Sequence, residues 1–102
     1  MPDGGNGAAA MSAQANGGLH PPDDVFWSVE TGGMRLYRPD RGWTEFLEYP
    51  RAAVWELIVR RGRTSGLAQK IGHIGDLDPA QAERLVAECV EEWQRNGLLT
   101  AG

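Results

Sequence analysis

Residues 43–62 read WTEFLEYPRAAVWELIVRRG, and along them the spacing of apolar side chains changes from two residues to between three and four. Up to Leu47 the side chains alternate between the two faces of a strand. One face carries Trp43, Glu45 and Leu47, and the other carries Thr44 and Phe46. Beyond Pro50 the period is that of a helix, which Gly62 ends. The stretch therefore predicts a strand that runs directly into a helix.

Two further strands are predicted before this stretch. Residues 25–31 read VFWSVET and are mostly β-branched and aromatic, and Gly32 and Gly33 follow them as a two-residue hairpin loop. Residues 34–38 alternate again and end at the turn sequence PDRG of residues 39–42. The three strands form an antiparallel meander, and no later strand is predicted to cover the outer edge of the third.

Two helices are predicted directly after the sheet. The first begins at Pro50, which suits a first helical position. Its inward positions are Val54, Leu57, Ile58 and Arg61. The second begins with Thr64 or Ser65 as its N-cap. Its inward positions are Leu67, Ala68 and Ile71.

The third helix has the clearest start in the chain. Asp78 suits the N-cap, Pro79 suits the first helical position, and Gln81 completes a variant of the capping box. The inward stripe comprises Ala82, Leu85, Val86, Cys89, Val90 and Trp93. The order of elements predicts a small α+β, winged-helix-like domain, in which an N-terminal three-stranded antiparallel sheet is followed by three helices.

Charge, hydropathy and cysteine content exclude several classes of protein. The chain has 102 residues, 10 of them basic and 14 acidic, and its formal net charge of -4 disfavours general binding to phosphate backbones. No stretch approaches the roughly 18 apolar residues of a membrane span, and the N-terminus lacks the basic region of a secretory signal. Cys89 is the single cysteine, which excludes an internal disulfide and a multi-cysteine zinc site. We expect a soluble, cytoplasmic protein with no membrane partner.

The first 24 residues differ in composition from the rest. They are rich in glycine and alanine and contain no Lys or Arg and no Phe, Trp or Tyr. Such a segment buries too little apolar surface to offset the ~1 to 2 kcal/mol per residue of backbone ordering. We predict a disordered tail over residues 1–24 and one domain over residues 25–102.

The order of three strands and three helices resembles the PqqD-like family, the RiPP recognition elements. Residues 46–58, FLEYPRAAVWELI, are similar to the family's segment in which a strand, Leu-Asn and Trp-x-Leu follow one another. Residues 77–83, LDPAQAE, and the exit Gly97-Leu98-Leu99 are similar to its final helix. Glu48 departs from the family's usual Asn, and Gly72, His73 and Gly75 make the second helix less regular.

The resemblance implies a non-catalytic peptide chaperone. Such a domain binds the leader of a ribosomally synthesised precursor peptide and presents it to a modifying enzyme, often a radical-SAM protein, as in pyrroloquinoline quinone or other RiPP biosynthesis. The residues allow this independently, because an unpaired edge strand accepts an extended peptide as a further strand. The same edge can pair with a second copy of the chain, which leaves monomer and homodimer open.

The candidate peptide-binding residues lie on the third strand and the third helix. Trp43 and Phe46 are the candidates for the floor and wall of the groove. The full set is Trp43, Thr44, Glu45, Phe46, Leu47, Arg84, Leu85, Glu88 and Cys89. The alternative is structural: the aromatic residues seal the sheet to the helices, and Arg84 and Glu88 belong to a solvated helix face worth ~0.2 to 0.5 kcal/mol as a pair.

Two other functions remain open on the sequence. The second and third helices resemble a helix-turn-helix, so a winged-helix DNA-binding regulator is the main alternative. Residues 78–96 carry five acidic and two basic side chains, however, so such a helix would be repelled by phosphates and nucleic acid is disfavoured as a partner. Seven arginines within residues 35–63 indicate a solvated surface or a docking patch for an acidic partner. A plain protein-interaction domain is the third hypothesis.

No catalytic or cofactor signature is present. His20 and His73 have no cysteine or second histidine at ligand spacing. Residues 64–66 and Lys70 lack the long glycine-rich loop of a nucleotide site. Cys89 lies on the predicted apolar stripe, where a buried thiol is inert. We therefore expect no enzymatic activity, no metal and no cofactor.

Overall fold

The protein is an α+β domain in which an antiparallel sheet precedes three helices. A computed structural model describes residues 18–101. Its strands are β1 (Leu19–His20), β2 (Phe26–Glu30), β3 (Gly33–Arg38), β4 (Trp43–Glu48) and β5 (Thr100–Ala101). Its helices are α1 (Arg51–Arg61), α2 (Leu67–Gly75) and α3 (Pro79–Arg95), with a 3-10 turn at Pro39–Arg41. The predicted fold class is confirmed.

Strands β2, β3 and β4 form the predicted meander, with β3 in the centre. Leu36 of β3 lies opposite Trp27 of β2 and Glu45 of β4. On β3 the even-numbered side chains are buried and face the helices, whereas Arg35 and Tyr37 lie on the outer face. The inner face of β4 therefore carries Trp43, Glu45 and Leu47, as the alternation predicts.

The hairpin between β2 and β3 is one residue earlier than predicted. Thr31 and Gly32 form the loop, and Gly32 has the positive φ of 82° that such a turn requires. Gly33 is instead the first residue of β3, where a Cβ would collide with the carbonyl oxygen of Leu47 and the ring of Phe46. Glycine is needed at this position because β4 approaches closely.

The helix boundaries follow local chemistry at most ends. Asp78 accepts a hydrogen bond of 2.8 Å from the backbone N–H of Gln81, whose side chain accepts one from the N–H of Asp78, so the predicted capping box is confirmed. The start of α2 was predicted wrongly: its N-cap is Gly66, with φ of 73° and no side-chain cap, rather than Thr64 or Ser65. None of the helices between residues 18 and 101 is long and apolar enough to cross a membrane.

Two indole rings meet in the middle of the core, and a third, from the exposed Trp27, packs against one of them. Trp55 of α1 and Trp93 of α3 are fully buried and meet edge to face, with ring centroids 5.2 Å apart. Trp27 of β2 packs against Trp55 at 5.7 Å with the same geometry. Edge-to-face pairs at these distances are favourable because the positive ring edge faces the negative ring face. The rings thus fix both α1 and α3 against the sheet.

The folded unit begins before the predicted boundary at residue 25. Leu19 belongs to the core, and β1 pairs antiparallel with β5, with Leu19 opposite Ala101. Asp24 accepts two hydrogen bonds of 3.1 Å from the buried guanidinium of Arg38. Residues 19–24 therefore contribute to the domain rather than to a tail. The rest of the predicted tail, residues 1–17, lies outside the described part of the chain.

Candidate functional site

The outer edge of β4 is unpaired within residues 18–101, as the sequence predicts. Glu30 and Gly33 flank a two-residue loop and are paired in register, so they must form a hydrogen-bonded pair. Hydrogen-bonded and non-hydrogen-bonded pairs alternate along antiparallel strands. On β4 the residues at 43, 45 and 47 consequently direct their backbone groups to β3. Thr44, Phe46 and Glu48 direct theirs away from the sheet, which leaves a row of free donors and acceptors.

Strand β2 forms the opposite edge of the sheet. The same alternation directs the N–H groups of Trp27 and Val29 outward. Between residues 18 and 101 no ion pair joins β2 to a helix. Trp27 packs against Trp55 of α1, a cavity of about 380 Å³ lies beside residues 21–27, and Val29 is 72% exposed. The two edges therefore offer similar backbone groups but different side-chain surroundings.

An arginine joins β4 to α3 through the start of α1. The Nη2 of Arg51 donates a 3.1 Å hydrogen bond to Glu92 of α3 and lies 3.8 Å from a carboxylate oxygen of Glu45 on β4. The guanidinium also lies 5.8 Å from the ring centroid of Trp93. We name the surface between Glu45 and the Glu92 side of α3 the β4–α3 cleft, with Arg51 at its floor.

Charge and burial act in opposite directions on Arg51. Burial acts to lower its pKa, but the hydrogen bond and charge of Glu92, with smaller contributions from Cys89 and Glu45, raise the pKa overall. Its Nε atom is buried without a hydrogen-bond partner. The guanidinium is therefore a positive charge between two carboxylates, 3.8 Å from Glu45 of β4 and 3.1 Å from Glu92 of α3.

A cavity of about 360 Å³ lies at the Trp43 end of β4. It is lined by Arg38, Arg41, Trp43, Asn96 and Leu98. The half-buried indole of Trp43 forms one wall, and the C-terminal end of α3 forms another. The cavity therefore continues the β4–α3 cleft along the direction of the strand.

The structure separates the two aromatic residues that were predicted to form one groove. Trp43 lies on the inner face of the sheet, whereas Phe46 lies on the outer face with the guanidinium of Arg35 5.3 Å from its ring centroid. Thr44 is also on the outer face, where its hydroxyl donates to the carbonyl of Leu36 at 3.1 Å. A single groove cannot contain both Trp43 and Phe46, because the sheet lies between them.

Two other predicted contact residues belong to the core. Leu47 is 1% exposed and Cys89 is 2% exposed, so neither side chain is accessible to a guest peptide. Burial raises the pKa of the Cys89 thiol to about 11, although the nearby charge of Arg51 acts to lower it. These two residues therefore belong to the packed core beside the cleft, and their side chains do not contact a bound peptide.

The remaining predicted residues lie on α3. Leu85 is half-buried and Glu88 is exposed, and the spacing of three and four residues places both on the same flank as Glu92 and Asn96. Arg84 is exposed on the solvent side of this flank. Arg84 and Glu88 form no ion pair in the structure of residues 18–101.

Sequence reasoning missed the ionic residues of the cleft. In the sequence, Arg51 is one of seven arginines within residues 35–63, and Glu92 is one of five acidic residues within residues 78–96. The structure instead disperses these arginines, because Arg35, Arg38, Arg51 and Arg60 each pair with a different carboxylate. The one sequence signal for its location is that Arg51 lies three residues after the end of the edge strand. Among the described residues there is no group of three or more His, Cys, Asp or Glu side chains able to hold a metal.

Comparison with known proteins gives a structural neighbour. A solved structure of "Lasso peptide synthetase B1 complexed with the leader peptide" matches this fold with a TM-score of 0.71, covering 80% of this chain and 96% of that chain. The two sequences are 18% identical, so the likeness shows a shared fold. No family model matches the chain. No curated protein matches it either.

Proposed function

We propose that this protein is a non-catalytic chaperone that captures the leader of a ribosomally synthesised precursor peptide on the edge of β4. The unpaired edge carries the proposal: Thr44, Phe46 and Glu48 direct free backbone groups outward beside a cleft. A guest strand satisfies these groups by hydrogen bonding, as in other complexes formed by strand addition. The bound leader is then presented to a modifying enzyme, for which the PqqD-like resemblance predicts a radical-SAM protein.

The difference between the side chains that surround β4 and β2 supports β4 as the docking edge. A strand on β4 lies against Glu45 and the flank of α3, so its side chains meet a structured surface. A strand on β2 would lie beside the exposed Val29 and a cavity of about 380 Å³ at residues 21–27, and no ion pair among residues 18–101 joins β2 to a helix. Backbone hydrogen bonds supply affinity at either edge, so the charged side chains beside β4 are what distinguish it as a selective docking edge.

The fold likeness supports the same proposal. The matching structure is that of a protein complexed with a leader peptide, and the match covers nearly the whole of that protein. At 18% identity the likeness does not assign a role to any individual residue of this chain. Docking on β4 is therefore inferred from the strand register and the surface of this chain itself.

The charge of α3 weighs against the DNA-binding alternative. Glu83, Glu88 and Glu91 are all exposed on the helix that would enter the major groove. Carboxylates on a recognition helix repel phosphates and release no counterions. No observation in the structure favours a nucleic-acid partner over a peptide.

A proline substitution at each edge tests the proposal. The probe is the tightest binder selected from a phage-displayed library of random peptides about a dozen residues long, which exceeds the ~20 Å length of a six-residue strand. Thr44→Pro removes one outward N–H from β4, and Val29→Pro removes one from β2 as the matched control. Proline is tolerated on an edge strand where the N–H faces solvent.

We expect Thr44→Pro to weaken binding about fivefold, as the loss of one backbone hydrogen bond predicts. Val29→Pro should leave the dissociation constant within about twofold. Circular dichroism checks that both variants keep the fold. In NMR titrations the peptide should shift amides of residues 43–47 and 85–92 and leave residues 60–63 unchanged. Equal effects of the two prolines, or shifts centred on β2, would contradict docking on β4.

A further inference from the structure

The cavity beside Trp43 is rich in hydrogen-bond donors. Arg41 is exposed and forms no ion pair with any of residues 18–101. Arg38 uses Nε and Nη2 to bind Asp24, which leaves Nη1 on the side of Gly97. Asn96 adds a side-chain amide. An anionic group fits this set of donors, because arginine presents donors in a planar fork that suits a carboxylate.

The end of α3 does not oppose an anion at this place. Helix C-termini ordinarily present bare carbonyl groups and a partial negative charge. Here the carbonyl of Trp93 accepts hydrogen bonds from the N–H groups of Leu98 and Leu99, and that of Gln94 accepts one from Gly97. The terminal turn is therefore capped by its own chain, and the donors of the cavity remain available.

The next part of the cleft has the opposite sign. Glu45, Glu88 and Glu92 are its carboxylates, and Arg51 is the guanidinium that lies between two of them. Glu88 has no ion pair in residues 18–101, and Glu45 is held at only 3.8 Å from Arg51. Glu45 and Glu92 flank Arg51, and Glu88 adds a third carboxylate on the same flank of α3, so negative charge is in excess here and favours a basic side chain.

The spacing of the two charged regions matches the repeat of a strand. Trp43 and Glu45 lie two residues apart on the inner face of β4, or about 6.6 Å along the strand. A guest strand paired with β4 places its own residues j and j+2 on that same face. One inward side chain of the guest thus reaches the cavity, and the next reaches Glu45.

We propose that the captured peptide carries an acidic side chain opposite Trp43 and a basic side chain two residues away, opposite Glu45. This inference rests on the proposed function and adds the chemical class of the ligand. Register along an open edge is weakly specified by backbone hydrogen bonds alone, because a strand can slip in steps of two. Opposite charges at adjacent inward positions of the guest select one register. A slip by two residues would place the guest's acidic side chain opposite Glu45, or its basic side chain opposite the arginines beside Trp43, and like charges repel.

Charge-reversal variants test this charge order. The probe is the same library-selected peptide, measured by fluorescence anisotropy with Arg41→Glu, Glu45→Lys and Glu88→Lys proteins. Arg63→Glu and Glu83→Lys are the matched controls, because both residues are exposed and lie away from the cleft. Each cleft variant should weaken binding about fivefold, as expected for partly exposed ion pairs. Each control should change it less than twofold.

A compensating change in the peptide makes the test specific. Replacing the peptide's acidic residue by lysine should weaken binding to the wild-type protein and restore binding to Arg41→Glu. Glu45→Lys also removes a carboxylate beside Arg51, which could itself alter the cleft. Glu88→Lys avoids this complication, because Glu88 forms no ion pair in residues 18–101.

The outcomes separate this inference from the proposed function. Selected peptides without an acidic and a basic residue at this spacing, or no compensation by the lysine peptide, overturn the charge order. If Thr44→Pro still weakens binding in that case, capture on β4 stands alone. A library that yields no binder, or binders that are insensitive to Thr44→Pro, overturns both.

Discussion

Arg51 donates a 3.1 Å hydrogen bond to Glu92, and this contact ties the first residue of α1 to the flank of α3 that faces the open strand. The two side chains are each about one-third exposed, and the ring of Trp93 lies beneath the guanidinium. The pair therefore lines the cleft and also contributes to the packing of α1 against α3. Its removal should affect both stability and peptide binding.

We expect Glu92→Gln to lower the free energy of unfolding by about 0.5 to 1 kcal/mol, since the ion pair is partly exposed to solvent. Chemical denaturation at low salt measures the change. Glu91→Gln is the control, because Glu91 is exposed on the same helix and forms no ion pair in residues 18–101. The difference should shrink at about 1 M salt, where the screening length is ~3 Å. A salt-independent difference would indicate packing instead of charge.

Asp24→Asn tests whether residues before 25 are part of the domain. Arg38 is 7% exposed, and Asp24 is its carboxylate partner at 3.0 Å. Leaving a buried guanidinium without its counter-charge costs about 1 to 3 kcal/mol. Thermal unfolding should show this loss for Asp24→Asn and almost none for Asp23→Asn, whose carboxylate is exposed and unpaired in residues 18–101. Equal midpoints for the two variants would argue against the ion pair.

Burial of Cys89 makes stability depend on pH in the alkaline range. The pKa of the thiol is raised from 9.0 to about 11 in the folded chain, so the unfolded chain loses its proton first. The contribution of this thiol to stability is complete below pH 9 and is lost as pH rises through the folded pKa. Urea titrations across this range should show a steeper fall for the wild type than for Cys89→Ala. Parallel curves would contradict the raised pKa.

A thiol reagent offers a second check on Cys89. We expect the native protein to react slowly with an aromatic disulfide near neutral pH, because the thiol is both buried and protonated. Unfolding in urea should restore the ordinary rate of a free cysteine. Fast reaction of the native protein would show that the Cys89 thiol readily becomes exposed to solvent.

Trp43 should report the binding of a peptide by fluorescence. Trp55 and Trp93 are fully buried, and Trp27 lies on the opposite edge of the sheet, so Trp43 is the tryptophan beside the proposed guest. Addition of the library-selected peptide should shift the emission of the wild type. Trp43→Phe should abolish the shift, whereas Trp27→Phe should retain it. A shift that survives Trp43→Phe would place the peptide elsewhere.

The parts of the fold that were predictable have short-range signals. The meander follows from alternation and turn chemistry, and the start of α3 follows from Asp78, Pro79 and Gln81, which lie within four residues of one another. The pairing of β1 with β5 has no such signal, because two residues near each end of the domain come together across about 80 positions of sequence. The N-cap at Gly66 was missed because a left-handed glycine competes with the side-chain caps that precede it.

The candidate site was predictable in its backbone but not in its side chains. The lack of a later strand to cover it identifies β4 as an edge, and alternation assigns Trp43 and Phe46 to opposite faces. The network around Arg51 depends instead on long-range packing that brings Glu45 of β4 and Glu92 of α3 to the same guanidinium. Trp55 meets Trp93 edge to face between α1 and α3, and helical periodicity carries no information about such contacts.

The antiparallel contact of Leu19 with Ala101 brings two distant points of the chain to within about 5 Å of each other. A short glycine linker joining these points, with new termini opened in the exposed segment between Arg63 and Gly66, would give a circularly permuted protein. The edge strand β4 and its following helix would then remain one uninterrupted stretch of polypeptide. In such a permutant a guest peptide can be genetically fused to a terminus at residues 63–66, which is not a terminus of the natural chain.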